Sequence, residues 1–482
     1  MKEIHFNSAS KLTQAIKNQE LTAVQVLKAT YKRIQQHNTT INAIVELRTF
    51  EDALKEAKAK DDLLKKGTLL GPLHGLPMTV KDSYNVKGMV STNGNPMLTK
   101  NVAQTDAALV QKLKNAGAII IGKTNLPLLA MDWQSTNKWY GQTNNPYHLD
   151  HVAGGSSGGA AASLAAGFSS LEIGSDAGGS IRVPAHFCGI CGLRPTEGAL
   201  PSRGHLSTPK KPRIGRYLTV CGPMARNMED LILLTKVLWS QGAEWAEIPP
   251  VPLTISDWNP NQSLRIAYSK TLNNCPMDKE YAAIFQNFIA KLQPFNPVEK
   301  APILDNDYLI HLWGRIIGFD MKANLPAIPG INAVMGTFFR LFYKDKQWAG
   351  GIKAGLRNNA TSYMQALEEK DQVRDAFNAF FNDWDIWLTP AAAMPAYQHT
   401  PAGKPLPLNG KKIPYTSGFT PFNFATTIPG HPVVVIPIGQ TSKGLPVGIQ
   451  IHGAAWQDHK LLKIAQFLEQ FTDGFQIPKQ FT

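Results

Sequence analysis

A chain of 482 residues with 43% hydrophobic and 18% charged residues has ordinary globular composition, with enough apolar side chains for a substantial core. Its 49 Lys and Arg against 36 Asp and Glu give a formal charge of +13, but the basic residues are scattered, with short clusters at Lys65-Lys66, Lys210-Lys211 and Lys411-Lys412; a charged solvated surface is expected rather than a nucleic-acid-binding arm. No run approaches the ~18 apolar residues of a membrane span, the start Met1-Lys2-Glu3-Ile4 has no signal-peptide core, and four cysteines make no disulfide framework. A cytoplasmic protein in a reducing compartment is expected.

Residues 8–66 read as helical. Ser8 or Ser10 can cap a first helix, and Thr22 a second that carries Val24, Val26, Leu27, Tyr31 and Ile34 at near-helical spacing. A short apolar run (Ile41 to Leu47) precedes a charged helix from about Glu51 to Lys66, whose long polar face argues for an outer layer. From Gly71 short apolar runs alternate with helical segments, which predicts an α/β fold. Met78-Thr79-Val80 runs into Lys81-Asp82, Ala107 to Leu113 reads as a helix, and Ala118 to Ile121 as a buried strand. Ser157 to Ala166 predicts a helix starting at a glycine run, and Leu171 to Ile173 a strand ending just before Asp176. Later strands are expected at Arg265–Tyr268, Asp385–Leu388, Pro432–Pro437 and Val447–His452, with a closing amphipathic helix over Trp456–Phe471. Between about 300 and 380 lie Tyr308, Trp313, Phe319, Phe338, Phe339, Phe342, Tyr343 and Trp348, read as helices packing on the core or capping a substrate pocket. The expected organisation is one domain: a helical layer over 1–70, a core over 71–240, the cap region, and completion of the sheet over 385–482.

Three motifs fail on physical grounds. Gly117-Ala-Ile-Ile-Ile-Gly122-Lys123-Thr124 matches the P-loop pattern, but its β-branched isoleucines commit to a sheet ladder the N–H groups that a phosphate cradle needs. Gly155-Ser-Ser157-Gly-Gly159 matches GxSxG, but His148 to Ala153 is a poor version of the buried strand such an elbow requires, and a choice of His431 or His452 as its base is nearly arbitrary. Cys188-Gly-Ile-Cys191 lacks a partner pair for zinc and the strand-to-helix context of a redox motif; these cysteines are read as small buried residues.

Two glycine–serine segments remain. In the second, Ala177-Gly178-Gly179-Ser180 forms a tight turn between a strand and a helix, with successive N–H groups free to converge on one oxygen and the Ser180 hydroxyl facing the same space. Asp176 and Arg182 flank the turn and can hold its shape as a charge-assisted pair. A serine nucleophile needs a base, and a lysine desolvated at the end of an apolar strand can serve; Lys81 is the best candidate.

Together His74-Gly-Leu-Pro-Met-Thr-Val-Lys81-Asp82, Gly122-Lys-Thr-Asn125, Gly154-Gly-Ser-Ser-Gly-Gly159, Gly174-Ser-Asp-Ala-Gly-Gly-Ser-Ile-Arg-Val-Pro-Ala185 and Phe187-Cys-Gly-Ile-Cys-Gly-Leu-Arg-Pro-Thr196 resemble the amidase signature family. The resemblance is strong over about 70–235 and weaker over the N-terminal helices and about 385–453. It implies a large mixed β-sheet covered by helices on both faces and a Ser–Ser–Lys triad. Ser180 falls on the acyl-enzyme nucleophile, Ser156 on the bridging serine after a cis Gly155–Ser156 bond, and Lys81 on the general base. The oxyanion hole falls on the N–H groups of Ala177, Gly178, Gly179 and Ser180, with Ser157, Asp176 and Arg182 in support. It implies a small-molecule amide substrate and no metal or organic cofactor.

The family also contains the glutaminase (A) subunit of the glutamyl-tRNA amidotransferase, the setting in which nucleic acid would enter. There an aspartate stands shortly before the strand matching Pro432–Pro437; here Gly418 to Pro429 holds no acid, and the aromatic region shows no matching arginine context. A stand-alone amidase with an apolar acyl pocket is therefore preferred. A catalytically silent binding protein on the same fold is the alternative of another class. A homodimer stays open, as does membrane contact through 308–348 with Arg340, Lys344 and Lys346.

Overall fold

Ser8 accepts a hydrogen bond from Lys11 N–H and opens the helix Ala9–Lys17. Thr22 and Gln25 form a reciprocal capping box for Ala23–Ile41. The charged helix runs Phe50–Lys65 and buries Ala53 and Ala57, which fits an outer layer. The computed structural model describes residues 4–206, 215–239, 248–253, 264–302, 305–323, 332, 334–337 and 346–481. Lys210, Lys211, Phe338, Phe339, Arg340, Phe342, Tyr343 and Lys344, named above, lie outside the described residues.

The centre is an eight-stranded mixed sheet, in the order Val298–Glu299, Ile266–Tyr268, Ile386–Pro390, Pro446–His452, Val433–Gln440, Cys191–Arg194, Val220–Ala225, Leu171–Asp176. The pairings around Ile266–Tyr268 are parallel and the rest antiparallel. Period-two alternation gives Val433–Gln440 two apolar faces. Val434 and Ile436 join a core with Leu461 and Leu462 of the helix Asp458–Glu469, while Val435 joins another with Ala185 of the helix Arg182–Phe187. At about 1.5–3 kcal/mol per buried aliphatic side chain, such paired burial commits this strand to the sheet centre.

Cys191–Arg194 and Val220–Ala225 carry no legible strand signal, being short and interrupted by Gly192, Gly222 and Pro223. Tertiary packing makes them strands: a Cβ on Gly222 would lie 2.1 Å from Leu193 O. A separate three-stranded sheet places Ile119–Thr124 between Pro77–Lys81, parallel to it, and Ile44–Leu47, antiparallel. Gly122-Lys123-Thr124 is thus ladder, not phosphate loop. His148–Val152 is a strand after all, but it pairs with Asn144–Asn145 in a two-stranded ribbon outside the central sheet. All four cysteines are buried and free. Among the described residues no helix is long and apolar enough to cross a membrane.

In the aromatic region the helices Asn306–Lys322 and Lys346–Arg357 pack backbone to backbone. A Cβ on Gly314 would lie 2.7 Å from Ile352 N, and one on Gly351 2.3 Å from His311 O. This contact carries Trp313, Ile317 and Trp348 to the wall of a cavity above the glycine–serine segments.

Candidate active site

Lys81 ends its strand fully buried, and its ammonium nitrogen contacts three hydroxyls: Ser156 Oγ at 2.8 Å, Ser157 Oγ at 2.9 Å and Ser175 Oγ at 3.0 Å. The neighbouring carboxylate of Asp82 turns to Lys123 instead, at 3.2 Å, both side chains fully buried. Burial therefore dominates at Lys81 and lowers its pKa to about 7, although Asp176 and Cys221 act the other way. A neutral amine keeps two N–H donors and gains a lone pair, so one of the three hydroxyls can donate to it.

Ser156 follows a cis Gly155–Ser156 peptide and precedes the helix Gly158–Ala165. The first glycine run marks the close backbone approach that its composition predicts. A Cβ on Gly155 would sit 2.6 Å from Asp132 O, and one on Gly159 2.3 Å from Asn125 N. Ser157 links both segments: its N–H donates to Ser180 O at 3.1 Å, and its Oγ accepts from Ser175 N–H at 3.3 Å.

The strand Leu171–Asp176 delivers the second segment into the helix Arg182–Phe187. Asp176 and Arg182 pair as expected, with Nε–Oδ2 3.0 Å and Nη2–Oδ1 2.9 Å, both fully buried. Burial pushes the Asp176 carboxyl up, but Arg182, Arg194 and the Gly179 N–H outweigh it and hold the group well below the usual carboxylate range. Arg182 also donates to Thr426, Thr427 and Gln450, which ties the turn to the helix Thr420–Thr427 and to the central sheet.

One of the four expected amides is already bonded within the turn. The Asp176 carboxylate folds back beneath the turn and takes the Gly179 N–H at 2.8 Å. The amides of Ala177, Gly178 and Ser180 have no acceptor among the described residues, nor does the Ser180 hydroxyl. Two tryptophans that the sequence did not single out for this role orient the peptide planes. Trp313 Nε1–H donates to Ala177 O at 2.5 Å, and Trp133 Nε1–H to Gly178 O at 2.9 Å. Because N–H and C=O of a trans peptide point apart, pinning Ala177 O turns Gly178 N–H to the other side. Trp313 is itself fixed by stacking on Phe424, centroids 4.0 Å apart at 11°. A Cβ on Gly178 would meet Phe424 Cε1 at 2.4 Å, so the turn needs glycine there.

Ser156, Ser175, Ser180, Ala177 and Gly178 border a cavity with otherwise largely apolar walls: Leu129, Met131, Trp133, Leu206, Trp313, Ile317, Trp348 and Phe424. No Lys, Arg or His stands among its described lining residues. One acid does: Asp132, whose carboxyl burial raises to about 7 against the opposing hydrogen bonds from Tyr415 and Trp133 N–H. Sequence reasoning missed it, since a lone acid beside a tryptophan carries no pattern. His431 and His452 take no part: His452 Nε2 pairs with Thr389 Oγ1 at 2.9 Å and His431 Nε2 with Asn378 Oδ1 at 3.0 Å. His148, Asp150 and His151 group closely enough to ligate a metal, on the ribbon outside the cavity, where Asp150 already accepts from His151 and Gln398.

A buried lysine on three serine hydroxyls, beside a turn with unpaired amides, is the arrangement of an acyl-transfer hydrolase. The family model described as Amidase matches residues 25–462, and the chain belongs to the amidase signature family. It is similar to the A subunit of the glutamyl-tRNA(Gln) amidotransferase of Carboxydothermus hydrogenoformans, 31% identical with 98% of each chain covered. It is equally similar to human fatty-acid amide hydrolase 2, 31% identical over 98% of this chain and 90% of that one. A solved amidase crystal structure superposes with a TM-score of 0.78 at 26% identity, covering 97% of this chain and 100% of that one. The chain is accordingly a hydrolase acting on carbon–nitrogen amide bonds.

Proposed function

We propose that the chain is a stand-alone amidase with an apolar acyl pocket, working through an acyl-enzyme on Ser180 with Lys81 as base and Ser156 as relay. The observation that carries this reading is the burial of Lys81 on Ser156 beneath a cavity free of described cationic residues. Neutral Lys81 accepts a proton from Ser156, which takes one from Ser180 as Ser180 Oγ attacks the amide carbonyl. The carbonyl oxygen becomes an oxyanion facing the amides of Ala177, Gly178 and Ser180. Run backwards, the relay delivers a proton to the leaving nitrogen, which an amide requires because an amide anion is a very poor leaving group. Water then repeats the sequence on the ester and releases the acid.

The wall, with no described cation on it, argues against glutamine, whose carboxylate calls for one. Complex formation as in the amidotransferase remains a property of those relatives. A silent binding protein would not need a desolvated lysine on three hydroxyls. Ser180→Ala is expected to abolish turnover and labelling by a serine-directed phosphonate; labelling at the wild-type rate refutes the assignment. Ammonia release by the purified chain should be faster from hexanamide than from glutamine, and the reverse order overturns the stand-alone reading.

A further inference from the structure

Asp132 stands in the cavity wall at considerable cost, since a carboxyl in an apolar pocket loses hydration that a hydrophobic residue there would not need. Its placement is built. Shortly before it on the same wall, Leu129 and Ala130 are held at φ +51° and +58°, a left-handed conformation uncommon for non-glycine residues. Leu129 N–H is tied to Asn93 O at 2.8 Å. Asp132 O lies against Gly155, next to the bridging serine, so its main chain runs beside the reacting end, and Asp132 lines the same cavity as Ser156 and Ser180.

The partners of Asp132 are all donors and all reach one oxygen. Oδ1 accepts from Trp133 N–H at 2.8 Å and from Tyr415 O–H at 2.5 Å. Gln134 Nε2 donates to Tyr415 Oη at 3.2 Å, which leaves the tyrosine proton for Asp132. Oδ2 has no partner among the described residues. The protein thus supports the anionic form with hydrogen bonds, yet no described cationic side chain lining the cavity balances its charge.

We propose that Asp132 is the specificity-determining group of this cavity and binds an ammonium on the substrate, so that the preferred amide carries a protonated amine a short chain from the scissile carbonyl. The proposal rests on the amidase reading and names the substrate class within it. A hydroxyl could satisfy Oδ2 but would leave the charge uncompensated; an ammonium supplies both the donor and the counter-charge. The rest of the chain packs against Leu129, Met131 and Trp313, which accounts for a cavity that is otherwise apolar.

The test is a matched series differing in one terminal group: hexanamide, 5-aminopentanamide and 5-hydroxypentanamide, with shorter and longer homologues of each. Wild-type enzyme should favour the ammonium over the methyl member at its best chain length by at least ~10-fold in kcat/KM, with the hydroxyl between them. Asp132→Asn keeps an acceptor for Trp133 and Tyr415 and should bring the ammonium-to-methyl ratio to one or below. Independently of any variant, butylammonium should inhibit hexanamide hydrolysis by wild type more strongly than butanol does. A wild-type ratio at or below one at every chain length overturns the proposal, as does a ratio unchanged in Asp132→Asn, or a hydroxyl preferred to the ammonium. Hydrolysis of the methyl series without ammonium preference leaves the amidase reading standing and sinks this one alone; hydrolysis of no amide overturns both.

Discussion

The pH dependence of turnover tests the central physical claim, that desolvation makes Lys81 a base. A lysine in water, with its pKa of 10.5, is neutral in only about one molecule in 3,000 at pH 7. Lowering that value to about 7 makes about half of the molecules competent, a gain of roughly 10³ in available base. The corresponding free energy is about 5 kcal/mol, at ~1.4 kcal/mol per tenfold change in proton affinity, and the group is fully buried, so solvent does not discount it. With an uncharged amide such as hexanamide, kcat/KM should rise about tenfold per pH unit below 6 and level off above about 7–8. Asp132 also titrates near 7, so the profile is repeated in Asp132→Asn; the break should persist there. The same shift sets a stability trend. The unfolded lysine holds its proton up to about 10.5 while the folded one releases it near 7, so the folded state binds fewer protons in that window and stability should rise with pH across it. A break near pH 10, or a profile flat from 5 to 9, refutes desolvation as the source of the base.

Asp176→Ala should destabilise by about 3–5 kcal/mol, because it strands Arg182 as a buried charge without its partner; a urea-midpoint shift equivalent to less than ~1 kcal/mol would contradict the pairing. Trp313→Phe keeps the stack on Phe424 but loses the bond to Ala177 O, and should lower kcat by ~10–100-fold with little change in KM. An unchanged kcat would show that the tryptophan does not orient the turn.

Much of this protein was legible locally. Helix caps at Ser8 and Thr22 depend on side chains reaching backbone a few residues away, and both form. Apolar runs such as Ile119–Thr124 and Val433–Gln440 declare strands because burial on two faces demands continuous apolar side chains. The glycine–serine segments announced close backbone approach, and the order of the motifs carried the family. What the sequence could not express was the environment that contacts create. Lys81 and Lys123 both lie in the last two residues of apolar strands, and only the fold gives Asp82 to Lys123 and leaves Lys81 on the hydroxyls of Ser156, Ser157 and Ser175. The turn at 176–182 was readable as a nest, but the return of the Asp176 carboxylate to Gly179 belongs to the folded turn, and the two tryptophans that set its peptide planes come from residues far away in the chain. Asp132 is the extreme case. An acid in a stretch of ordinary loop residues becomes the one charged side chain among the described lining residues of an apolar cavity only when distant parts of the chain close around it, because solvation is a property of the folded surroundings and not of the residue.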